Sequence, residues 1–323
     1  MPSTSTPAAA PTAEQVQTAA DLLAQPLLEL IFKAASVHRE FHDPQRIQCS
    51  QLLSIKTGGC SENCGYCSQS AHFDTGIERE KLLDESVVLD AARSAKASGA
   101  DRFCMGAAWR EVRDGAQFDS VLRMIGSVKE LGLETCATLG MVDESQAQRL
   151  ADAGLDYYNH NLDTGRSHYD SVVTTRTYDD RIDTLKNVRS AGMSVCCGGI
   201  LGLGESDMGR AELLAELAHM DPPPESVPIN RLVAIAGTPL EHEGQVDWSE
   251  LVRVLAAARI LMPKSMLRLS AGREQLSEEA QALCFLAGAN SIFVGDQLLT
   301  TPNPEPSGDA ALLAKLGLVS LGD

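Results

Sequence analysis

No run of apolar residues approaches the roughly 20 that a bilayer-spanning helix needs, so no membrane-spanning helix is expected. Positive charge is scarce as well: 27 Lys plus Arg stand against 44 Asp plus Glu, a formal net charge of −17. A surface this acidic repels nucleic acid and anionic lipid, and neither partner is expected. The stretch from Met1 to Ala13 contains no Lys or Arg and no apolar core. It lacks the marks of a secretory signal or an organellar transit peptide, and its Ala, Pro, Ser and Thr predict a disordered tail over 1–13. A cytoplasmic location follows as the expectation. Also missing is the double C-x₂-C pattern that typically closes a structural zinc site.

Cysteine itself is not scarce. The chain has nine: Cys49, Cys60, Cys64, Cys67, Cys104, Cys136, Cys196, Cys197 and Cys284. In a reducing compartment structural disulfides are not expected, and metal binding or catalysis becomes the better reading for those that cluster.

At 44% hydrophobic and 22% charged residues the composition is that of an ordinary globular protein. Apolar runs near Leu52–Thr57, Asp101–Ala107, Leu133–Leu139, Leu155–Asn159, Met193–Ile200, Ser226–Val233, Met266–Ser270 and Ser291–Val294 read as strands. Helical patterns alternate with them: Ser86–Ser98, Phe118–Leu131, Asp143–Ala153, Asp179–Ala191, Asp207–Met220, Asp247–Leu261 and Glu274–Ala287. Several open on Asp and most stop at Gly or Pro, which are physical helix boundaries. Such a ladder predicts an α/β fold, a (β/α)₈ TIM-type barrel over 49–300, although a doubly wound open sheet produces the same string. A helix near Ala13–Ala35 predicts an N-terminal helical extension over 14–48, and 301–323 reads as an irregular C-terminal tail.

Directly after the first strand comes Cys60-Ser-Glu-Asn-Cys64-Gly-Tyr-Cys67, a C-x₃-C-x₂-C loop preceded by Gly58 and Gly59. A 4Fe–4S cluster takes four thiolates, so three in one loop leave one iron open to a small molecule. A zinc site remains the alternative. Cys104, Cys136 and Cys196 each sit within a strand, where alternate side chains share a face, so they can converge inside a barrel. Taken singly, each is more readily a small core residue. Arg268, also on a strand and flanked by Leu, is costly to bury unpaired. With the three thiols it makes an enclosed site for a second iron–sulfur cluster. Cys197 competes with Cys196 for that role. Cys284 falls on a core helix face, and Cys49 has no evident role. His160, in the polar strand end Tyr158–Asp163, reads as a structural histidine.

The loop spacing with Tyr66 before its last cysteine resembles the radical S-adenosylmethionine superfamily. From about Leu52 to Pro304 the chain is similar to the biotin synthase family. The likeness rests on Arg102-Phe-Cys-Met-Gly-Ala-Ala-Trp109, Tyr157-Tyr-Asn-His-Asn-Leu-Asp163, Gly199-Ile-Leu-Gly-Leu-Gly-Glu205, Ser226-Val-Pro-Ile-Asn230, Arg268-Leu-Ser-Ala-Gly-Arg-Glu274 and Leu299-Thr-Thr-Pro-Asn303. This resemblance implies a 4Fe–4S cluster on Cys60, Cys64 and Cys67 that binds S-adenosylmethionine at its open iron. It also implies a sulfur-donating 2Fe–2S cluster on Cys104, Cys136, Cys196 and Arg268. Tyr66, Ile200 and Val233 would lie at the adenine, Asn161 and Asp163 at the ribose, and Asn161 and Asn230 at the substrate, dethiobiotin. An electron donor such as flavodoxin or ferredoxin and a homodimeric state are further implications.

Overall fold

The computed structural model describes residues 10–322. The tail expected over 1–13 lies mostly outside them. The predicted N-terminal helix is two helices, α1 (Ala13–Leu23) and α2 (Leu27–Phe41), which meet at Pro26. Proline disfavours helical backbone in the residue before it and cannot donate a helical N–H, so the chain breaks there and restarts. Far from hanging free, α1 packs against a later helix, α7 (Asp207–His219), and α2 against α8 (Trp248–Leu261).

Eight parallel staves form the interior: β1 (Arg46–Lys56), β2 (Arg102–Ala107), β3 (Glu134–Thr138), β4 (Tyr157–Asn159), β5 (Ser194–Cys196) continued by β6 (Gly199–Leu201), β7 (Ser226–Arg231), β8 (Met266–Leu269) and β9 (Ser291–Val294). Pairing of β9 with β1, Ser50 opposite Phe293, closes the ring. That contact decides for the barrel over the open sheet. The fifth stave, expected as one strand, is interrupted at Cys197 and Gly198. A side-chain carbon on Gly198 would stand 1.9 Å from the Pro228 carbonyl oxygen, so this close approach of two backbones requires glycine.

The remaining barrel helices are α3 (Glu85–Ala97), α4 (Ala116–Glu130), α5 (Glu144–Asp152), α6 (Tyr178–Ser190) and α9 (Glu278–Leu286). Their starts follow the polar caps. Asp143 accepts from the Gln146 amide while the Gln146 side chain returns to Asp143, and Thr177 with Asp180 repeats the device on α6. The predicted start of α9 at Glu274 is too early. Arg273–Gln275 is a separate 3₁₀ turn, held by the buried Arg273 side chain, and Ser277 caps the helix proper.

After Thr301 the expected irregular tail is instead ordered structure. A small hairpin, β10 (Gln297–Leu298) with β11 (Thr301–Pro302), leads into α10 (Pro306–Leu316) and β12 (Val319–Ser320), which runs parallel to the start of β1. Arg273 clamps α10 through two bonds to the Asp309 carboxylate, at 2.5 and 2.7 Å, with both side chains buried. A long-range buried pair of this kind leaves no local mark in the sequence.

Arg259 of α8 ties the N-terminal helices to the barrel. It is fully buried and donates to the carbonyls of Pro263, Ser265 and Gly288 and to His42 Nε2 at 3.0 Å. Burial, and next the Arg259 charge, press the His38 imidazole down to about 3, and the same causes lower His42. Both rings are therefore neutral in the folded chain, while in the unfolded chain they take up protons once pH falls below about 6.5. Their contribution is whole above that pH and is lost as pH falls toward the depressed folded values. Thermal melts of the metal-free protein should show the melting temperature falling across this window, with a flatter slope for His38→Leu.

Candidate active site

The three-cysteine loop leaves β1 at the C-terminal end of the barrel and folds back on itself. The Cys60 amide donates to Gln69 O at 2.9 Å, and Ala71 returns a bond to Cys60 O at 2.7 Å. Gly58 and Gly59 take φ of 69° and 70°, and a side-chain carbon on Gly58 would collide with Glu78 O at 2.6 Å. Here the turn requires glycine. Lys56 Nζ donates to Gly58 O at 2.6 Å, Asn63 bonds the Thr174 hydroxyl at 2.6 Å, and Gly65 donates to Val172 O at 2.9 Å. The loop is thus fixed to its own base and to the segment before α6. Burial pushes the thiols up, Cys64 to about 11 and Cys67 to about 12, so each keeps its proton until a metal displaces it.

Deeper in the barrel Cys104, Cys136 and Cys196 meet. Register pairs Cys104 with Cys136, and Cys196 lies close enough to both for the three thiols to share one electrostatic environment. Cys136 is pushed well up by its two thiol neighbours and by burial. Cys196 is drawn well down, first by the Cys136 hydrogen bond and then by the charges of Arg268 and Arg102; Cys104 moves the same way. Arg268, 1% exposed, stacks on Phe293 and donates to Ser291 Oγ (3.0 Å), Ser50 Oγ (3.0 Å) and Gln48 Oε1 (3.2 Å). Those bonds occupy Nε and Nη2, and Nη1 takes part in none of them. All these partners are neutral, so anionic sulfur at this site would supply the balancing charge that a buried guanidinium needs.

One cavity of about 340 Å³ joins the two groups. Cys60, Cys64 and Cys67 border it at the loop, and Cys104, Cys136 and Arg268 border it inside the barrel. Tyr66, Asn161, Ile200, Asn230 and Val233 line it as well. The volume suits a small molecule.

Residues 54–217 match the radical SAM superfamily, and residues 228–319 match the Biotin and Thiamin Synthesis associated domain. The chain is 60% identical over 320 residues to the biotin synthase of Burkholderia thailandensis, covering 98% of this chain and 95% of that protein. The biotin synthase of Burkholderia mallei is 60% identical over 318 residues, covering 98% and 94%. The chain belongs to the biotin synthase family. In fold it is similar to methylornithine synthase (TM-score 0.77, 18% identity, covering 96% of this chain and 94% of that one) and to the FeFe-hydrogenase maturase HydG from Carboxydothermus hydrogenoformans (TM-score 0.78, 15% identity, 95% and 77%).

Biotin synthases use a 4Fe–4S cluster, a 2Fe–2S cluster and S-adenosylmethionine. The donor sets fit these groups. Among the described residues no His, Cys, Asp or Glu group is arranged to hold a single metal ion, whereas a polynuclear cluster spreads its ligands around a larger body. The two candidate cysteines of the fifth stave have different surroundings. Cys196 joins the thiols, while Cys197 lies in the hydrophobic core. Cys284 is likewise core, as is Cys49.

Asp163, expected at the cofactor ribose, lies behind Tyr66. It does not line the cavity and is 1% exposed, and its carboxylate accepts from Tyr66 OH at 2.7 Å and from Arg181 at 2.5 Å. Burial in this ion pair turns it into a support for the Tyr66 wall. His160 is buried with Nε2 unpartnered, and burial lowers its imidazole far below the usual range, so it is neutral. Two site residues escaped the sequence reading. Asn159 faces Cys196 in register and donates to its sulfur at 3.2 Å, and Arg102 stands two residues before Cys104 on the same face of β2. Strand alternation counted from Cys104 was the signal for Arg102, whereas Asn159 shows only through its register with Cys196.

Arg181 donates to Asp163, to Asn161 O at 2.5 Å and to Tyr169 OH at 2.7 Å, entirely within the protein. Arg181→Met leaves the Asp163 carboxylate buried without its cation. Urea unfolding of the metal-free protein should register a loss of about 3–5 kcal/mol.

Proposed function

We propose that this chain inserts sulfur into dethiobiotin to close the ring of biotin, with the cavity between the two thiol groups as the reaction chamber. The single observation that carries the reading is the continuity of that cavity, bordered at one end by three loop thiols and at the other by two strand thiols and a buried guanidinium. Cys60, Cys64 and Cys67 would hold the 4Fe–4S cluster, and Cys104, Cys136, Cys196 and Arg268 the 2Fe–2S cluster. When bound, these groups with S-adenosylmethionine supply a hydrogen-abstracting deoxyadenosyl radical and the sulfur atom.

The chain's own residues bind, orient and exclude water. Tyr66, Ile200 and Val233 offer apolar surface to the adenine. Asn230 spends one N–H on Gly199 O (3.0 Å) and one lone pair on the Ala271 amide (3.1 Å). One donor and one acceptor remain, which suits the ureido edge of the substrate. Asn161 similarly accepts from the Gly198 amide at 3.1 Å, which fixes its carboxamide for the ribose and the substrate. Leu298 and Leu299 of the C-terminal hairpin roof the cavity, and Ser68 and Thr300 join roof to cysteine loop at 2.7 Å. An enclosed chamber keeps a primary alkyl radical from water and stray C–H bonds.

A reductant such as flavodoxin or ferredoxin, a homodimeric state and a cytoplasmic setting complete the proposal. Anaerobic reconstitution with dethiobiotin, S-adenosylmethionine and reductant should yield biotin. Cys60→Ala should abolish S-adenosylmethionine cleavage. Cys196→Ala should lower iron and sulfide content by one 2Fe–2S cluster and stop biotin formation while deoxyadenosine is still made, whereas Cys197→Ala keeps both clusters. Full sulfur insertion by the Cys196 variant would refute the assignment of the inner site.

A further inference from the structure

Below the three strand thiols the barrel carries a second buried guanidinium. Arg102 is 0% exposed, although it lies on a strand of a strongly acidic chain where water would ordinarily receive it. Its Nε donates to Glu134 Oε2 at 2.8 Å, and its plane lies over the Tyr157 ring, 3.5 Å from the centroid. Held by an ion pair on one edge and by stacking on its face, the group has little freedom to turn. Its Nη1 is buried and has no hydrogen-bond partner.

The surroundings show where that donor is of use. Arg102 and Cys104 share the inward face of β2, and the register sets Glu134 opposite Arg102 one step below Cys136 opposite Cys104. Glu134 also accepts from Gln48 Nε2 at 3.1 Å, and Gln48 Oε1 accepts from Arg268 at 3.2 Å. A continuous polar floor, Arg102–Glu134–Gln48–Arg268, therefore runs beneath the thiols. Glu134 is about one-third exposed and so balances Arg102 partly through a solvated carboxylate, leaving a net positive field on the thiol side. An unpaired buried N–H is expensive, and the groups above it in the next layer are sulfurs.

We propose that Arg102 is a positioning residue of the inner cluster site, giving its free Nη1 donor to sulfur at the site of Cys104, Cys136 and Cys196 and so holding and polarising the sulfur that the reaction transfers. This rests on the assignment of the 2Fe–2S cluster to those cysteines. Net charge and hydrogen bonds to sulfur set the potential of such a cluster. Removing Arg102 should make the cluster harder to reduce, and neutralising Glu134 should make it easier.

The test is a potentiometric titration of the anaerobically reconstituted protein, followed by its visible spectrum, with iron and sulfide content measured alongside. Arg102→Met should shift the inner cluster to a more negative potential, and Glu134→Gln should shift it the opposite way. A role confined to holding the barrel floor would lower the melting temperature of both variants without opposed shifts, and that result overturns the proposal. If Arg102→Met does not fold, Arg102→Lys keeps the charge and loses the forked donor. A smaller shift of the same sign then supports the proposal, and the wild-type potential overturns it. Failure of the underlying assignment is separately visible, because Cys196→Ala would then retain the full iron content of the wild type.

Discussion

Closure of the parallel sheet between β9 and β1 is the constraint on which the molecule depends. Once the staves form a ring, every second side chain points at a common axis, and residues far apart in sequence fall into shared layers. Cys104 and Cys136 stand opposite each other because their strands are in register, and Arg268 meets Ser291 for the same reason. The inner site follows from ring closure more than from any local motif. A flat sheet with the same strand order would set Cys104 and Arg268 far apart.

Charge inside the ring is the second theme. Two guanidinium groups are buried close to the three thiols, and Cys104 and Cys196 are drawn down first by Cys136 and then by the Arg268 and Arg102 charges, while Cys136 is pushed up. A cavity organised in this way is costly for the empty protein and becomes favourable when anionic sulfur fills it. The outer site works differently. Its thiols are protonated by burial, and its precision comes from backbone bonds that fold Cys60–Ala71 onto itself and from side chains that pin it to the loop before α6. One site is held electrostatically by strands, the other mechanically by a loop.

The N- and C-terminal segments bear on the site through packing. Arg259 joins the end of α2 to the barrel wall by meeting His42 Nε2 as well as the Ser265 and Gly288 carbonyl oxygens, and Arg273 joins α10 to it through Asp309. By holding α10 the latter also fixes the course of the hairpin whose Leu299 approaches Gly106 so closely that a side-chain carbon there would stand 2.6 Å from it. The roof of the chamber is thereby tied to a buried ion pair outside it.

Local chemistry was legible in the sequence. Helix ends followed Asp, Thr and Gly because capping acts within a few residues. The three-cysteine loop was plain because its ligands sit within one turn of chain, and the strand cysteines could be expected to converge because strand periodicity is local. What depended on distant partners was not legible. The close approach that makes Gly198 a glycine comes from Pro228, and the ordered C-terminal segment rests on Arg273 meeting Asp309. The burial of Asp163 beside Arg181, and the different surroundings of Cys196 and Cys197, likewise depend on side chains distant in sequence. By itself the sequence determined which residues can carry the chemistry. Only the tertiary structure decided which of them face one another, because closing a barrel brings together groups whose separation along the chain carries no signal of their contact.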